Sequence, residues 1–342
     1  MKKIFLLALA ISFYSCMAQQ AKELSNVDEM DFANTITSNE LKEHLYIFAS
    51  DEFEGRETGE PGQKKAAEYL KTEYKKLNIP SPLGNDDYFQ EVPASVFTGN
   101  IKDSENVVAF IEGSEKPEEI LVISSHYDHI GIDAEGNIFN GADDDGSGTV
   151  AVLEIAEAFM EAKESGFGPK RSILFLNVTG EEKGLIGSKY YTDHPIFPLA
   201  QTVANLNIDM IGRSDVAHEG NNNYVYLIGS DKLSTELHNL SEKVNSKYMN
   251  MDLDYTFNDE NDPNRFYYRS DHYNFAKNNI PIIFYFNGVH ADYHKMTDTA
   301  DKIEYDLLAK RARLIFLTAW EIANRAERPL VDKSETSTFA TE

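Results

Sequence analysis

Cysteine is almost absent from this chain of 342 residues, and Cys16 is the only one. A single thiol cannot form a disulfide within the chain, so a disulfide-stapled fold is excluded. Cys16 also lies at the end of an amino-terminal leader that we expect to be cleaved. The mature fold must therefore depend for its stability on its hydrophobic core or on bound metal.

Long hydrophobic runs are equally scarce, and the one that stands out is at the amino terminus. Residues 1–18 combine two lysines, a short apolar run and small residues, which is typical of a secretory leader too short to span a membrane. We predict export, so that the protein is periplasmic, secreted, or lipid-anchored to the cell envelope through Cys16. The bulky residues 13–15 are unusual before a lipid-attachment cysteine, and residues 16–19 also fit ordinary cleavage, so soluble export and lipid attachment both stay open.

Positive charge is also in short supply, because 32 Lys and Arg stand against 57 Asp and Glu, which gives a net charge of −25. An acidic surface repels phosphate backbones and anionic lipid, so nucleic-acid binding is not expected. The hydrophobic content of 42% is enough to bury one large core. We therefore predict one domain over residues 19–328 and a polar tail over residues 329–342, while the oligomeric state stays unknown.

Short apolar runs predict the strands of a sheet. They are 4–8 residues long and lack alternation, which is typical of strands covered on both faces. The four clearest runs are Ile120–Ser124, Ile173–Val178, Val203–Ile208 and Ile282–Phe286. A long polar segment, Gly212–Asn264, is rich in Asn, Asp and Ser, and we expect it to be an excursion from the sheet.

Segments with helical periodicity lie before, between and after these apolar runs. Apolar residues recur at spacings of three and four in the segments 61–77, 147–162 and 305–326. In the second helix we expect Glu154 on a solvent-facing stripe with two other glutamates, and Met160 among the buried positions. Strands and helices that alternate in this way predict an α/β fold, a three-layer α/β/α sandwich around a largely parallel mixed sheet.

Candidate functional residues lie where the predicted strands end. In an open α/β sheet, ligands bind beyond the carboxyl ends of the strands. Polar side chains follow each of the four strands, and an aspartate-rich turn at Gly141–Gly148 precedes the second helix. The side chains at these positions are His126, Asp128, Asp144, Glu181, Glu182, Asp209, Tyr293 and His294.

Each of these residues alone has an ordinary structural explanation, for example that an aspartate of the 143–145 run caps the following helix. Together they do not, because several carboxylates at one crevice repel one another unless a cation neutralises them. Two imidazoles with three carboxylates suit zinc better than calcium or magnesium, and one bridging carboxylate would allow two ions. Two such ions can activate a water molecule for hydrolysis. Adjacent residues of an extended segment face opposite ways, so Glu182 can bind metal while Glu181 acts as general base.

The order of motifs resembles a known family. The chain reads His-Tyr-Asp-His, Gly-Ala-Asp-Asp-Asp-Gly-Ser-Gly, Gly-Glu-Glu-x-Gly-Leu-x-Gly-Ser, Asn-Ile-Asp-Met and Asp-Tyr-His. This succession resembles the co-catalytic zinc exopeptidases typified by secreted bacterial leucyl aminopeptidases, a family related to glutaminyl cyclases and the transferrin receptor. The resemblance runs from about Asp51 to Ala323. It implies a zinc peptidase domain that acts on peptides with a free amino terminus.

The resemblance also implies two Zn²⁺ ions and a role for each ligand. His126 and Asp209 would hold one zinc, Glu182 and His294 would hold the other, and Asp144 would bridge them. A cis peptide bond often follows the bridging residue in this family, and here it would join Asp144 to the next aspartate.

Three further roles follow from the resemblance. Glu181 would be the base, and Asp128 would orient the imidazole of the first zinc ligand. Tyr293 would either donate a hydrogen bond to the tetrahedral oxyanion or simply fill the pocket wall. The stretch Ser270–His272 also matches the family, and we expect no metal role for it.

Two competing functions stay open. A glutaminyl cyclase is a related zinc enzyme on the same fold, although Gly180–Gly184 has the peptidase form of its motif. A binding protein that has lost catalysis is the second possibility, and it predicts missing ligands. All five expected ligands and the expected base are present, which favours an enzyme.

Overall fold

The computed structural model describes residues 28–334. The predicted leader 1–18 with Cys16 and the end of the polar tail lie outside the described residues. Within residues 28–334, no helix is both long enough and apolar enough to cross a membrane.

In the described part of the chain, ten strands form one large sheet and one small hairpin. The hairpin consists of the two shortest strands, β4 and β5, which pair antiparallel to each other. In chain order, the strands are β1 (Phe89–Val92), β2 (Ser104–Ile111), β3 (Lys116–His126), β4 (Gly131–Ile132), β5 (Ile138–Phe139), β6 (Arg171–Val178), β7 (Thr202–Ile208), β8 (Tyr224–Ile228), β9 (Asp252–Asp254) and β10 (Ile282–Phe286).

The large sheet has eight strands in the order β1-β2-β6-β3-β7-β10-β8-β9. Its four central strands, β6, β3, β7 and β10, are mutually parallel. They are the four strands predicted from the apolar runs, and β10 has the predicted bounds. Their carboxyl ends therefore meet at one edge of the sheet, as the prediction of a common crevice requires.

Helices cover both faces of this sheet. The predicted first and last helices are confirmed, with ends that differ from the prediction by one and two residues. The helices are α1 (Glu29–Ala33), α2 (Ser38–Phe48), α3 (Pro61–Lys76), α4 (Gly148–Glu164), α5 (Ile186–Asp193), α6 (Thr235–Val244), α7 (His272–Ala276) and α8 (Tyr305–Asn324).

Alternate residues of the central strands enter two separate hydrophobic cores. Leu121 and Ile123 of β3 pack in the core that includes α4 and α8. Ile120 and Val122 of the same strand pack in the opposite core, which includes Phe275 of α7. Because side chains of a strand alternate between its faces, this division means that layers of helix lie on both sides of the sheet. The three-layer α/β/α fold is thus confirmed.

The prediction for the polar face of α4 is wrong at Glu154, whereas Glu161 is exposed as predicted. Glu154 is only 2% exposed, and its Oε1 lies 3.4 Å from Nε2 of His44 on α2. Burial raises the pKa of Glu154 to about 9. Glu154 is buried because α1 and α2, which are distant in the sequence, pack against α4. The periodicity of α4 alone would place this residue in solvent. Met160, conversely, is only partly buried and packs at the margin of the core.

The segment Gly212–Asn264 is not simply an excursion from the sheet, contrary to the prediction. It contains β8, α6 and β9, and β8 pairs antiparallel with β10. All five residues of β8 are buried. The polar turns on either side of this short strand dominate the composition of the segment and conceal it in the sequence.

Candidate metal centre

The ends of the parallel strands bring the predicted residues together. His126 is the last residue of β3, and Asp209 directly follows β7. Glu182 lies in the turn after β6, and His294 lies in the loop after β10. Asp144 comes from the irregular turn that precedes α4. All five sequence-predicted ligands therefore converge on one edge of the sheet.

Asp144 lies between two imidazoles. Its Oδ1 is 3.3 Å from Nε2 of His126, and its Oδ2 is 3.0 Å from Nε2 of His294. One carboxylate thus presents each of its oxygens to a different histidine. This is the arrangement that a bridging ligand requires.

Each imidazole also faces a second carboxylate. Nε2 of His126 lies 3.5 Å from Oδ1 of Asp209, and Nε2 of His294 lies 3.4 Å from Oε1 of Glu182. Two ligands of one tetrahedral zinc ion, each at about 2.0–2.2 Å, are about 3.3–3.6 Å apart, so these separations suit donors that share an ion. Each of the two imidazoles thus faces two carboxylates, and the carboxylate of Asp144 is common to both.

Unpaired oxygens provide a second indication that the site suits a cation. Asp144 Oδ2 and Glu182 Oε1 are buried, and neither accepts a hydrogen bond from the part of the chain that the structure describes. A buried carboxylate oxygen without a donor is costly, because it has lost water and gained no partner. The donor set of imidazole nitrogens and carboxylate oxygens therefore fits zinc on both chemistry and burial.

The electrostatics of the centre favour positive charge. Burial would lower the pKa of His126, but Glu181 and Asp209 outweigh it and raise this pKa well above its usual value. The pKa of His294 is raised to about 10, because Asp144 and Glu182 outweigh burial. Metal ions bind deprotonated ligands, so a divalent cation would displace protons from these imidazoles.

The two adjacent glutamates face different parts of the centre. A carboxylate oxygen of Glu181 lies in one group with His126 and Asp209, whereas Glu182 lies in another group with Asp144. Glu181 and Glu182 therefore face different groups of side chains, as predicted. Burial, followed by the neighbouring carboxylates, raises the pKa of Glu181 well above its usual value.

The contacts of the Asp128 side chain differ from those expected for the role that the resemblance implied. The atom in contact with Nδ1 of His126 is the main-chain oxygen of Asp128, at 3.1 Å, while Oδ1 is 3.8 Å away. The carboxylate instead accepts hydrogen bonds from Thr58 Oγ1 at 2.6 Å and from the N–H of Glu181 at 3.2 Å. The side chain of Asp128 therefore positions the Glu181 turn, and its backbone contacts the imidazole.

Two supporting residues were not identified as such from the sequence. Oδ2 of Asp298 accepts hydrogen bonds from the backbone N–H groups of Asp143 and Asp144, at 3.0 and 3.2 Å. Ser270 donates to Oδ2 of Asp209 at 2.7 Å. The Ser270–His272 motif was a usable signal, whereas nothing in the sequence distinguished Asp298 from the many other acidic residues.

Asp144 and Asp145 are adjacent but make different contacts. The peptide bond after Asp144 is cis, as the resemblance implied. Oδ1 of Asp145 accepts hydrogen bonds from the N–H groups of Gly148 and Met210, at 2.9 and 3.0 Å. The ordinary capping explanation is therefore correct for Asp145 and does not account for Asp144.

A narrow cleft opens beside Glu181. Tyr293 lines it and stacks on His294 with ring centroids 3.9 Å apart. Burial, then the nearby carboxylates, raises the pKa of Tyr293, so its O–H stays a donor. Arg269 also lines the cleft and stacks on an aromatic side chain at 4.9 Å. The apolar residues of the wall are Met210, Phe266, Phe284, Phe286 and Val289.

Comparison with known proteins agrees with this geometry. The model of peptidase family M28 matches residues 106–319. Leupeptin-inactivating enzyme 1 of Streptomyces exfoliatus is 29% identical over 259 residues, which are 75% of this chain and 50% of that enzyme. The chain spans about half the length, or less, of the curated relatives that it matches best.

Solved structures share the fold. The LapA aminopeptidase of Legionella pneumophila superposes with a TM-score of 0.66 at 21% identity, over 87% of this chain and 75% of that one. A zinc aminopeptidase from Bacillus subtilis superposes with a TM-score of 0.63 at 17% identity, over 85% of this chain and 97% of that one. At sequence identities of 21% and 17%, this structural similarity is evidence for the fold of the chain.

Proposed function

This chain belongs to peptidase family M28, and from that premise we propose that it is a two-zinc aminopeptidase. The observation that carries the proposal is the position of Asp144, whose two oxygens face His126 and His294. Each histidine has its own second carboxylate, which supports two ions rather than one. In this proposal His126 and Asp209 hold one zinc, Glu182 and His294 hold the other, and Asp144 bridges them.

Zinc bound at these donors would supply acidity to a water molecule and polarise the scissile carbonyl. The remaining chemistry falls to side chains at the cleft. A carboxylate oxygen of Glu181 accepts the proton of the attacking water and returns it to the departing amine. Its position beside His126 and Asp209, and its location in the cleft wall, support this role.

Tyr293 is proposed to stabilise the developing negative charge. Its ring stacks on His294 and is held beside the ligands, with its hydroxyl protonated. A preorganised O–H donor that points at the developing oxyanion stabilises the transition state more than the ground state. The ring also fills part of the cleft wall, so the two roles suggested by the sequence are compatible.

The charges of the cleft favour cleavage from the amino terminus. Glu181 lines it and is not one of the proposed zinc ligands, so its carboxylate suits the free α-ammonium group of a peptide. The aromatic and aliphatic wall suits an apolar first side chain. We therefore propose that unblocked peptides with an apolar first residue are the substrates.

Carboxypeptidase activity is the second candidate, and Arg269 is the observation that favours it. This exposed side chain lines the cleft, and none of the described residues forms an ion pair with it. A carboxypeptidase needs a cationic group for the terminal carboxylate of its substrate. One arginine among three carboxylates is a weaker clamp than the paired arginines that such a site would favour.

Digestion of matched peptides decides between the two candidates. Free, amino-terminally acetylated and carboxyl-terminally amidated versions of one tripeptide are compared by mass spectrometry. We expect loss of the first residue from the free and amidated forms and no cleavage of the acetylated form. Release of the last residue from the acetylated form, abolished by Arg269→Gln, would establish the carboxypeptidase instead.

A glutaminyl cyclase and a binding protein without activity receive less support. Membership of a peptidase family does not favour the cyclase. A relative that has lost catalysis predicts lost ligands, and the five donors and Glu181 are all at the centre. Incubating the protein with a peptide that begins with glutamine distinguishes cyclisation from hydrolysis by the mass of the product.

We also propose that the protein is exported through the leader 1–18, with residues 19–328 as the peptidase domain. The mass of the mature amino terminus tests this directly. A lipid-modified Cys16 and a free amino terminus after residue 18 give different masses, and an intact Met1 would contradict both forms of export.

A further inference from the structure

His129 is a buried histidine for which neither the ligand set nor the catalytic roles account. It is fully buried, and neither of its ring nitrogens makes a hydrogen bond with any residue between 28 and 334. Its Nδ1 lies 3.0 Å from Oε1 of Glu182 and 3.8 Å from Oδ2 of Asp144. These are the two oxygens that are themselves buried without a hydrogen-bond donor.

The other buried histidines of the described chain each make at least one hydrogen bond through the ring, although Nδ1 of His272 also makes none. His290 contacts Asp143 through Nε2 at 3.0 Å, and its Nδ1 accepts a hydrogen bond from the N–H of Asp292. A buried polar group is expected to be hydrogen-bonded or to coordinate a metal. The two unpartnered nitrogens of His129 therefore require a partner, and one of them already faces the metal centre.

The backbone around His129 makes room for its ring. Gly141 adopts a positive φ of 53°, and a Cβ at this position would lie 2.5 Å from Cδ2 of His129. The N–H of His129 donates to the carbonyl of Arg56 at 3.1 Å. The buried guanidinium of Arg56 in turn donates to the carbonyl of Gly141 at 2.9 Å. The ring is thus held in place by the main chain on both sides.

We propose that Nδ1 of His129 is a further metal ligand, for the ion bound by Asp144, Glu182 and His294. This inference rests on the proposed metal centre and deepens it. One ion then has four protein donors, two nitrogens and two oxygens, whereas the ion at His126 and Asp209 has three. A zinc site that has four protein ligands is closed, and one that has three keeps a position open. The open position lies on the side of Glu181.

The proposed ligand must be distinguished from a residue that merely positions Glu182, because loss of either kind weakens metal binding, typically 10–100-fold for a positioning partner. X-ray absorption at the zinc edge counts the imidazoles bound to the metal. We expect three imidazoles for two zinc ions in the wild-type protein and two in His129→Asn. Chelator competition should show that one of the two zinc ions binds at least 10-fold more weakly in the variant.

A matched control and a second variant keep the test decisive. His290→Asn removes another buried histidine near the centre, and it should leave the imidazole count and both zinc affinities unchanged. His129→Gln serves if His129→Asn does not fold, as judged from the melting transition in excess zinc. Two zinc ions with two imidazoles in the wild-type protein would overturn the role of His129 alone. A wild-type protein that binds no zinc would overturn the proposed metal centre itself.

Discussion

The backbone N–H of Glu181 donates a hydrogen bond to Oδ1 of Asp128, over 3.2 Å. This bond joins the turn that carries the proposed base to the strand end that carries His126. The other carboxylate oxygen of Asp128 is held by Thr58. A carboxylate bound in this way fixes the turn that carries the base, while its nearer oxygen lies 3.8 Å from Nδ1 of the His126 imidazole.

We therefore expect Asp128→Asn and Thr58→Val to lower kcat while both zinc ions remain bound. Loss of one hydrogen bond of about 1–1.5 kcal/mol corresponds to a decrease of roughly 10-fold in rate. Steady-state kinetics and elemental analysis of the same samples provide the measurement. Loss of zinc with unchanged kcat per zinc-loaded chain would instead show that Asp128 supports the ligand His126.

Glu181→Gln should retain the fold and both zinc ions but lose turnover by about 10²–10⁴-fold, because a positioned general base typically contributes that much. The neighbouring variant Glu182→Gln is the matched control, since it changes the same functional group one residue away. It should lose zinc as well as activity. Near-normal kcat in fully loaded Glu181→Gln would falsify the assignment of the base.

Asp144→Ala should leave at least one metal position unfilled, because it removes the one donor common to both ions and exposes their mutual repulsion. Asp145→Asn is a suitable comparison, since an amide oxygen can still accept the hydrogen bonds from Gly148 and Met210. It should keep both zinc ions. Two zinc ions per chain in Asp144→Ala would end the bridging assignment.

Removal of metal should lower the melting temperature. A ligand at a hundred to a thousand times its Kd stabilises the native state by about 3–4 kcal/mol, which corresponds to roughly 5–10 °C in a domain of this size. Differential scanning calorimetry before and after exhaustive chelation measures the change. Zinc should restore the original value and magnesium should not, because the centre contains imidazole ligands. An unchanged melting temperature argues against a metal centre in the native protein.

Glu154 should make stability depend on pH. Its folded-state pKa of about 9 lies above the ordinary value of 4.5, so the native state retains a proton that the unfolded chain releases. Stability is then fully present below about pH 4.5 and decreases as the pH rises towards 9. Glu154→Gln should raise the melting temperature by several degrees at pH 8 and hardly at all at pH 4.5. Glu161→Gln, an exposed change on the same helix, should have little effect at either pH.

The sequence predicted the parts of this protein that depend on local pattern. Each of the four central strands is a short apolar run, and the proposed metal donors His126 and Asp209 lie at or directly after strand ends, so the fold rule alone places them together. The face of α4 at Glu154 could not be predicted in this way. Its burial results from helices distant in the sequence that pack across it.

The supporting contacts were harder to predict for the same reason. Asp298 binds backbone N–H groups of the aspartate turn, and Ser270 binds Asp209, through contacts between distant parts of the chain. Asp128 was expected to orient His126 because the family resemblance implies that role, whereas its carboxylate accepts hydrogen bonds from Thr58 and Glu181. The resemblance identified the residue but not the partners of its side chain.

The order of the donors along the chain has a consequence for biosynthesis. The first imidazole, His126, ends β3, while the last, His294, comes only after β10, in the final part of the domain. A nascent chain that has not yet been synthesised past β10 lacks this donor and cannot form the second set of ligands. The proposed pair of metal sites can therefore be completed only when synthesis of the domain is almost finished, and until then a growing chain would lack the proposed means of hydrolysing peptides.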